Sequence, residues 1–296
     1  QGEVIQLLGQ LYVSNLLMAE IPPDAKSLFE RYRKRRRREV QGYMSNFLFI
    51  RVPLFDPDRI LNTFLPAVRW LYSWVGAVLW FAAVGTGLYF VVNGWDRLAG
   101  RASGILDPEN LPLLFLSFWI VKVFHEFGHA FTCKVLGRRQ GSGGEVHVMG
   151  IMFLVFTPLP YVDASSSWAF RSKWHRALVG SAGMIVELVI ASAAAIIWSQ
   201  TVEGTTINGI CYNVMFIASV STLLFNGNPL LRYDAYYILS DLLEIPNLAQ
   251  RSRNYIKYVV KRYPWGVKRS KSPAHSPGEG FWLMFYGLAS TVYRVF

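Results

Sequence analysis

Apolar runs at about 66–92, 111–136, 177–198 and 210–243 dominate this chain and leave it few architectures. A helix of about 20 apolar residues crosses a bilayer's hydrocarbon core. Each run reaches that length, and a further apolar run begins near 281. In hydrocarbon every backbone polar group must be satisfied internally, so such runs read as helices. Mean hydropathy is +0.26, too apolar for an ordinary soluble chain. The expected fold is therefore an all-α polytopic membrane protein with about four to five transmembrane helices.

Charge sets the expected orientation. The net charge of +11 sits mostly in blocks between the apolar runs, at 31–38, 138–139, 171–176 and 251–271. The intervening loops near 93–110 and 203–206 carry few Lys or Arg. Basic loops mark the cytoplasmic side, so the pattern predicts a cytoplasmic N-terminus. The block 31–38 would touch anionic lipid headgroups. Charge divided in this way argues against nucleic acid as a partner. The 10 tryptophans suit interfacial belts. Cys133 and Cys211 lie in apolar segments and imply no disulfide framework. The chain starts at Gln1 and stops at Phe296 within an apolar run, so a fragment of a longer polypeptide is expected.

One segment breaks the helical pattern. Residues 145–162 are apolar and β-rich but interrupted by Gly150, Pro158 and Pro160. Non-helical backbone enters a bilayer only where protein covers it or it lines a wet cavity. A membrane-associated β hairpin or re-entrant loop is expected, and its edge could pair with an extended substrate.

The second apolar run holds His125-Glu126-Phe127-Gly128-His129. Residues four apart share a helix face, so both imidazoles can aim at one point. Two such histidines with an adjacent glutamate suit a zinc site whose glutamate is the general base. A catalytic zinc usually takes three protein ligands. His147 lies on the expected hairpin. Cys133 shares the histidines' face, but His125 and Cys133 are about 12 Å apart along the axis. Asp234 is better placed: it follows Asn226-Gly227-Asn228-Pro229, and a carboxylate at membrane depth faces a partner or water. An ion pair with Arg232, or a place near the cytoplasmic interface, is its structural alternative. Lys122 and Glu187 could pair across helices, or Glu187 could back a histidine ring nitrogen.

The pairing of His125-Glu126-x-x-His129 with Asn226-x-x-Pro229-x-x-x-Tyr233-Asp234 resembles the site-2 protease family of intramembrane zinc metalloproteases. Stretches 125–135, 160–187 and 225–248 resemble a bacterial subgroup found with membrane-fusion, adaptor-type secretion proteins. The resemblance implies zinc held by His125, His129 and Asp234, and water activated by Glu126. Asn226 and Asn228 would hold an extended substrate strand or its oxyanion. Ala235 stands where the family has Gly, and Tyr233 where it often has Leu. The resemblance further implies a protease domain over 45–296, continuing past the C-terminus, preceded by a cytosolic helical segment, 1–44, as the tail of a winged-helix-like module. Expected partners are a membrane protein or peptide substrate, the lipid bilayer and an adaptor-type secretion protein. The expected location is the bacterial inner membrane, as a multi-pass integral protein. A second expectation is a non-proteolytic, zinc-binding component of a peptide export complex.

Overall fold

A computed structural model describes residues 4, 7, 8, 10, 11, 49–141, 143–154, 157–267 and 271–295. The arginine block 31–38 and nearly all of the segment 1–44 lie outside the described residues. The chain divides into two units: 1–50 with 154–156, and 51–153 with 157–296. In the first, the described residues 4, 7, 8, 10 and 11 are helical. Everything below concerns the second.

This unit is mainly helical. Helix α1 spans Asp58–Val68, α2 Trp74–Asn93 and the short α3 Trp95–Gly100. Helix α4 spans Leu111–Gln140, α5 Lys173–Gln200 and α6 Thr206–Val220. Helix α7 is Asp234–Leu242, α8 Leu248–Arg262 and α9 Pro277–Val295. A three-stranded sheet, in the order β1-β2-β3, is built from β1 (Phe49–Phe55), β2 (Met149–Leu154) and β3 (Thr157–Val162).

Among the described residues, four helices are long and apolar enough to cross a membrane. They are Trp74–Asn93, Leu111–Gln140, Lys173–Gln200 and Thr206–Asn226. The polytopic all-α expectation holds, at the lower of its two counts. The apolar run near 281 forms α9, which is not among the four. Its Leu283 and Tyr286 are buried in a cluster with Tyr236, Ile245 and Leu248. The interrupted β-rich stretch is the β2–β3 hairpin.

Two boundaries differ from the sequence expectation. The first span starts at Trp74, not near 66, because Ser73 takes an extended conformation and caps it. The Ser73 hydroxyl accepts a hydrogen bond from Gly76 N–H, satisfying a donor at the helix start. The residues before it form a 3-10 turn, Arg69–Tyr72, and the end of α1, an amphipathic helix whose Leu61 and Leu65 are buried. Asp58 pairs with Lys134, and Asn62 Oδ1 accepts from Arg138 at 2.5 Å, so α1 is tied to the end of α4. The run 210–243 is also two helices. α6 widens into a π-helical turn at Ser221–Asn226, the chain crosses Gly227 to Tyr233, and α7 begins anew at Asp234.

Helices α4, α5 and α6 enclose the main core, where Val121, Ala194, Ala195, Trp198, Met215 and Ala218 are buried. Small residues allow the close approach: Gly87 of α2 lies against Ser192 of α5. A Cβ at Gly87 would stand 2.5 Å from Ser192 Cβ, whereas one at Gly85 meets nothing within 4 Å. Gly87→Val should therefore lower the thermal midpoint in detergent, at a stability cost of about 1–3 kcal/mol. Gly85→Val, on the same helix, should change it little.

Candidate metal centre

The site begins with the register of α4. His125 and His129 stand one turn apart, both on its buried side. Their Nε2 atoms are 3.0 Å apart. Asp234 joins them from the first turn of α7, its Oδ2 at 3.1 Å from His125 Nε2 and 3.5 Å from His129 Nε2. A helix N-terminus favours a carboxylate electrostatically. The break after Asn226 is what lets the chain turn and present Asp234 there. Among the described residues, these three are the His, Cys, Asp and Glu side chains that converge closely enough to hold a metal ion.

Each imidazole is backed on its far side. His129 Nδ1 lies 2.7 Å from the carbonyl oxygen of Val179, an acceptor only, so this nitrogen carries the proton. His125 Nδ1 lies 2.9 Å from Glu187 Oε1, close in distance though off the N–H axis of a well-formed hydrogen bond. With its proton on Nδ1, His129 turns its Nε2 lone pair inward, and a proton on His125 Nδ1 would leave that Nε2 free in the same way. Asp234 Oδ2 is buried there without a hydrogen-bond donor. Unprotonated at Nε2, the two imidazoles would aim lone pairs at the same point as Asp234 Oδ2, a repulsion that a proton or a metal cation there relieves.

The dimensions fit a metal. Bonds of about 2.0–2.2 Å in tetrahedral geometry separate ligand atoms by about 3.3–3.6 Å. The observed edges of 3.0, 3.1 and 3.5 Å are close to that spacing. His125, His129 and Asp234 could thus hold a metal ion.

Glu126 stands beside this trio. Its Oε2 accepts a hydrogen bond of 2.9 Å from Val162 N–H at the end of β3. The sequence predicts the hairpin but not this contact, because a backbone donor leaves no mark in residue type. Of the two asparagines, Asn226 is buried and its Nδ2 reaches Ser221 Oγ at 3.4 Å. Asn228 Oδ1 accepts from Leu230 N–H at 2.9 Å and so supports the turn between the helices. Ala235 has no positive φ, so its backbone makes no demand for glycine.

The other candidate ligands lie elsewhere. His147 is exposed and pairs with Asp56 at 3.0 Å. That bond raises the His147 pKa, while the Asp58 N–H and then His147 lower that of Asp56. Cys133 Sγ lies 3.3 Å from Ser166 Oγ. Arg232 lines a groove of about 740 Å³ with Trp168, Arg171 and Tyr237, and does not pair with Asp234. Lys122 and Glu187 do form the expected pair, at 2.7 Å.

Gly183 of α5 makes room for the first histidine. A Cβ there would stand 2.3 Å from His125 Cε1 and 2.4 Å from its Nε2.

One comparison with known proteins gave a match. The chain is 23% identical over 173 residues to a Bacillus subtilis (strain 168) protein named "Putative peptide zinc metalloprotease protein YydH". The match covers 57% of this chain and 64% of that protein, so the chain spans less than two thirds of its relative's length. No family model matches the chain. No solved structure matches it either.

Two outcomes follow for metal content, measured by elemental analysis of purified protein. Asp234→Ala should lose the bound metal, while His147→Ala and Cys133→Ala keep it. Gly183→Ala should lower metal occupancy severalfold by displacing the His125 ring, without touching any ligand atom.

Proposed function

We propose that the chain is an intramembrane zinc metalloprotease acting on membrane-embedded or membrane-associated protein substrates. The observation that carries this reading is the convergence of His125 Nε2, His129 Nε2 and Asp234 Oδ2 next to Glu126. These three groups would be the zinc ligands. The similarity to a protein named as a zinc metalloprotease supports the choice of metal and reaction.

Zinc bound there supplies Lewis acidity, lowering the pKa of a water molecule and polarising a peptide carbonyl. Glu126 takes the proton from that water and passes it to the leaving amine nitrogen. Its hydrogen bond from Val162 N–H fixes the orientation of the carboxylate while Oε1 carries no protein hydrogen bond among the described residues. A helical substrate hides its peptide bonds in its own hydrogen bonds, so it must unwind locally before cleavage. Strand β3 is an edge of the sheet, and an extended substrate could pair with it. Asn226 and Asn228, on the break before Asp234, are the proposed contacts to the strand or its oxyanion.

The rest of the reading follows the sequence. We assign 45–296 to the protease domain and 1–44 to a cytosolic segment preceding it. The bacterial inner membrane, a cytoplasmic N-terminus and an adaptor-type secretion partner belong to the same proposal. Arg138 and Arg139 at the end of α4, and Lys173 and Arg176 at the start of α5, support that orientation.

Glu126→Gln tests the proposal. Processing of a co-expressed membrane substrate should fall at least about 100-fold, since general acid–base catalysis contributes that much. Zinc should remain bound. Unchanged processing with intact zinc would instead favour a non-proteolytic role in peptide export.

A further inference from the structure

The carboxylate of Glu187 is fully buried midway along α5, and more side chains converge on it than a plain ion pair needs. Its Oε1 accepts from Lys122 Nζ at 2.7 Å and lies 2.9 Å from His125 Nδ1. Its Oε2 accepts from Thr222 Oγ1 at 2.5 Å. Ser221 Oγ lies 3.4 Å from Oε1 and also receives the Lys122 ammonium. Ser221 and Thr222 open the π-helical turn that follows α6. Helices α4, α5 and the end of α6 thus each contribute to one buried cluster.

Two needs would explain such a cluster. One is structural: Lys122 and Glu187 neutralise each other at membrane depth, which any well-matched pair achieves. The other is positional. A metal-binding histidine is set by the acceptor at its other ring nitrogen, which fixes both tautomer and ring orientation. For His129 a helix carbonyl already fills that role. For His125 the available acceptor is Glu187. Lys122 cancels the carboxylate charge, so the acceptor adds no net charge beside the site. The two hydroxyls fix the direction in which its oxygens point.

We propose that Glu187 is a positioning residue for the metal centre: held by Lys122, Ser221 and Thr222, it keeps the proton of His125 on Nδ1 and aims Nε2 at the metal. This inference rests on the metalloprotease reading. It adds a requirement for metal affinity that lies outside the ligand set and Glu126.

The test uses the full chain in detergent micelles, with zinc affinity from chelator competition and the thermal midpoint of the metal-free protein. Replacing a buried ion pair by apolar groups of similar size is often neutral for stability. Glu187→Leu/Lys122→Met should therefore keep the metal-free midpoint near that of the parent protein. Its zinc affinity should fall about 10- to 100-fold, the usual effect of losing such an outer partner. Glu187→Gln/Lys122→Met restores a neutral acceptor for His125 Nδ1–H and should recover most of that affinity. Equal zinc affinity in the parent and the Leu/Met variant overturns the assignment and leaves a structural pair. So does equal loss in the two double variants. Failure of the parent protein itself to bind zinc overturns the metalloprotease reading, a result separable from both.

Discussion

A group of charges held away from water by apolar helices is the constraint on which this structure depends. Burying one ionised group costs several kcal/mol unless partners compensate it. Here Glu187 is paired with Lys122, and Asp234 stands opposite two imidazoles, one bonded through its outer nitrogen to Val179 O and the other with Glu187 2.9 Å from its outer nitrogen. The compensation is nearly complete except at one place, where His125, His129 and Asp234 aim lone pairs at a shared point. A cation there satisfies all three together. Burial elsewhere in the cluster thus defines what the remaining gap can hold.

Close packing makes this possible. α4 and α5 meet through glycines: Gly128 lies against Val186 and Ala182, and Gly183 against the His125 ring. Bulk at either position would separate the helices or push the histidine out of register. Behind the site, Leu61, Ala130, Cys133, Leu136, Val146, Phe170 and Val179 form a second packed cluster. The imidazoles therefore stand on a rigid base drawn from α1, α4, α5 and the segment around the hairpin.

Much of this was legible in the sequence, and for definite reasons. Runs of apolar residues fix helices in a membrane because the backbone has few alternatives there. The four-residue spacing of His125 and His129 fixes a shared face whatever the tertiary structure. Asp234 could be singled out because a carboxylate in apolar surroundings needs a partner. What stayed hidden depends on contacts distant in sequence. Nothing in composition distinguishes a Lys122–Glu187 pair from a Glu187–His125 contact, and the structure contains both. The start of the first span at Trp74 turns on the Ser73 cap, a single side chain that hydropathy ignores. The division of 210–243 follows from a π-helical turn and an extended Tyr233, and apolar residues continue across both.

The contact between Val162 N–H and Glu126 has a consequence of its own. Its donor is main chain, so every residue type except proline supplies it. A side-chain scan at position 162 would report how Val162 packs against the cluster around Leu61 and Cys133, and would pass over its bond to Glu126. The information resides in where the strand ends, not in which letter is written there. The carboxylate therefore keeps its anchor through any substitution at 162 other than proline that preserves this packing, provided the hairpin keeps its length.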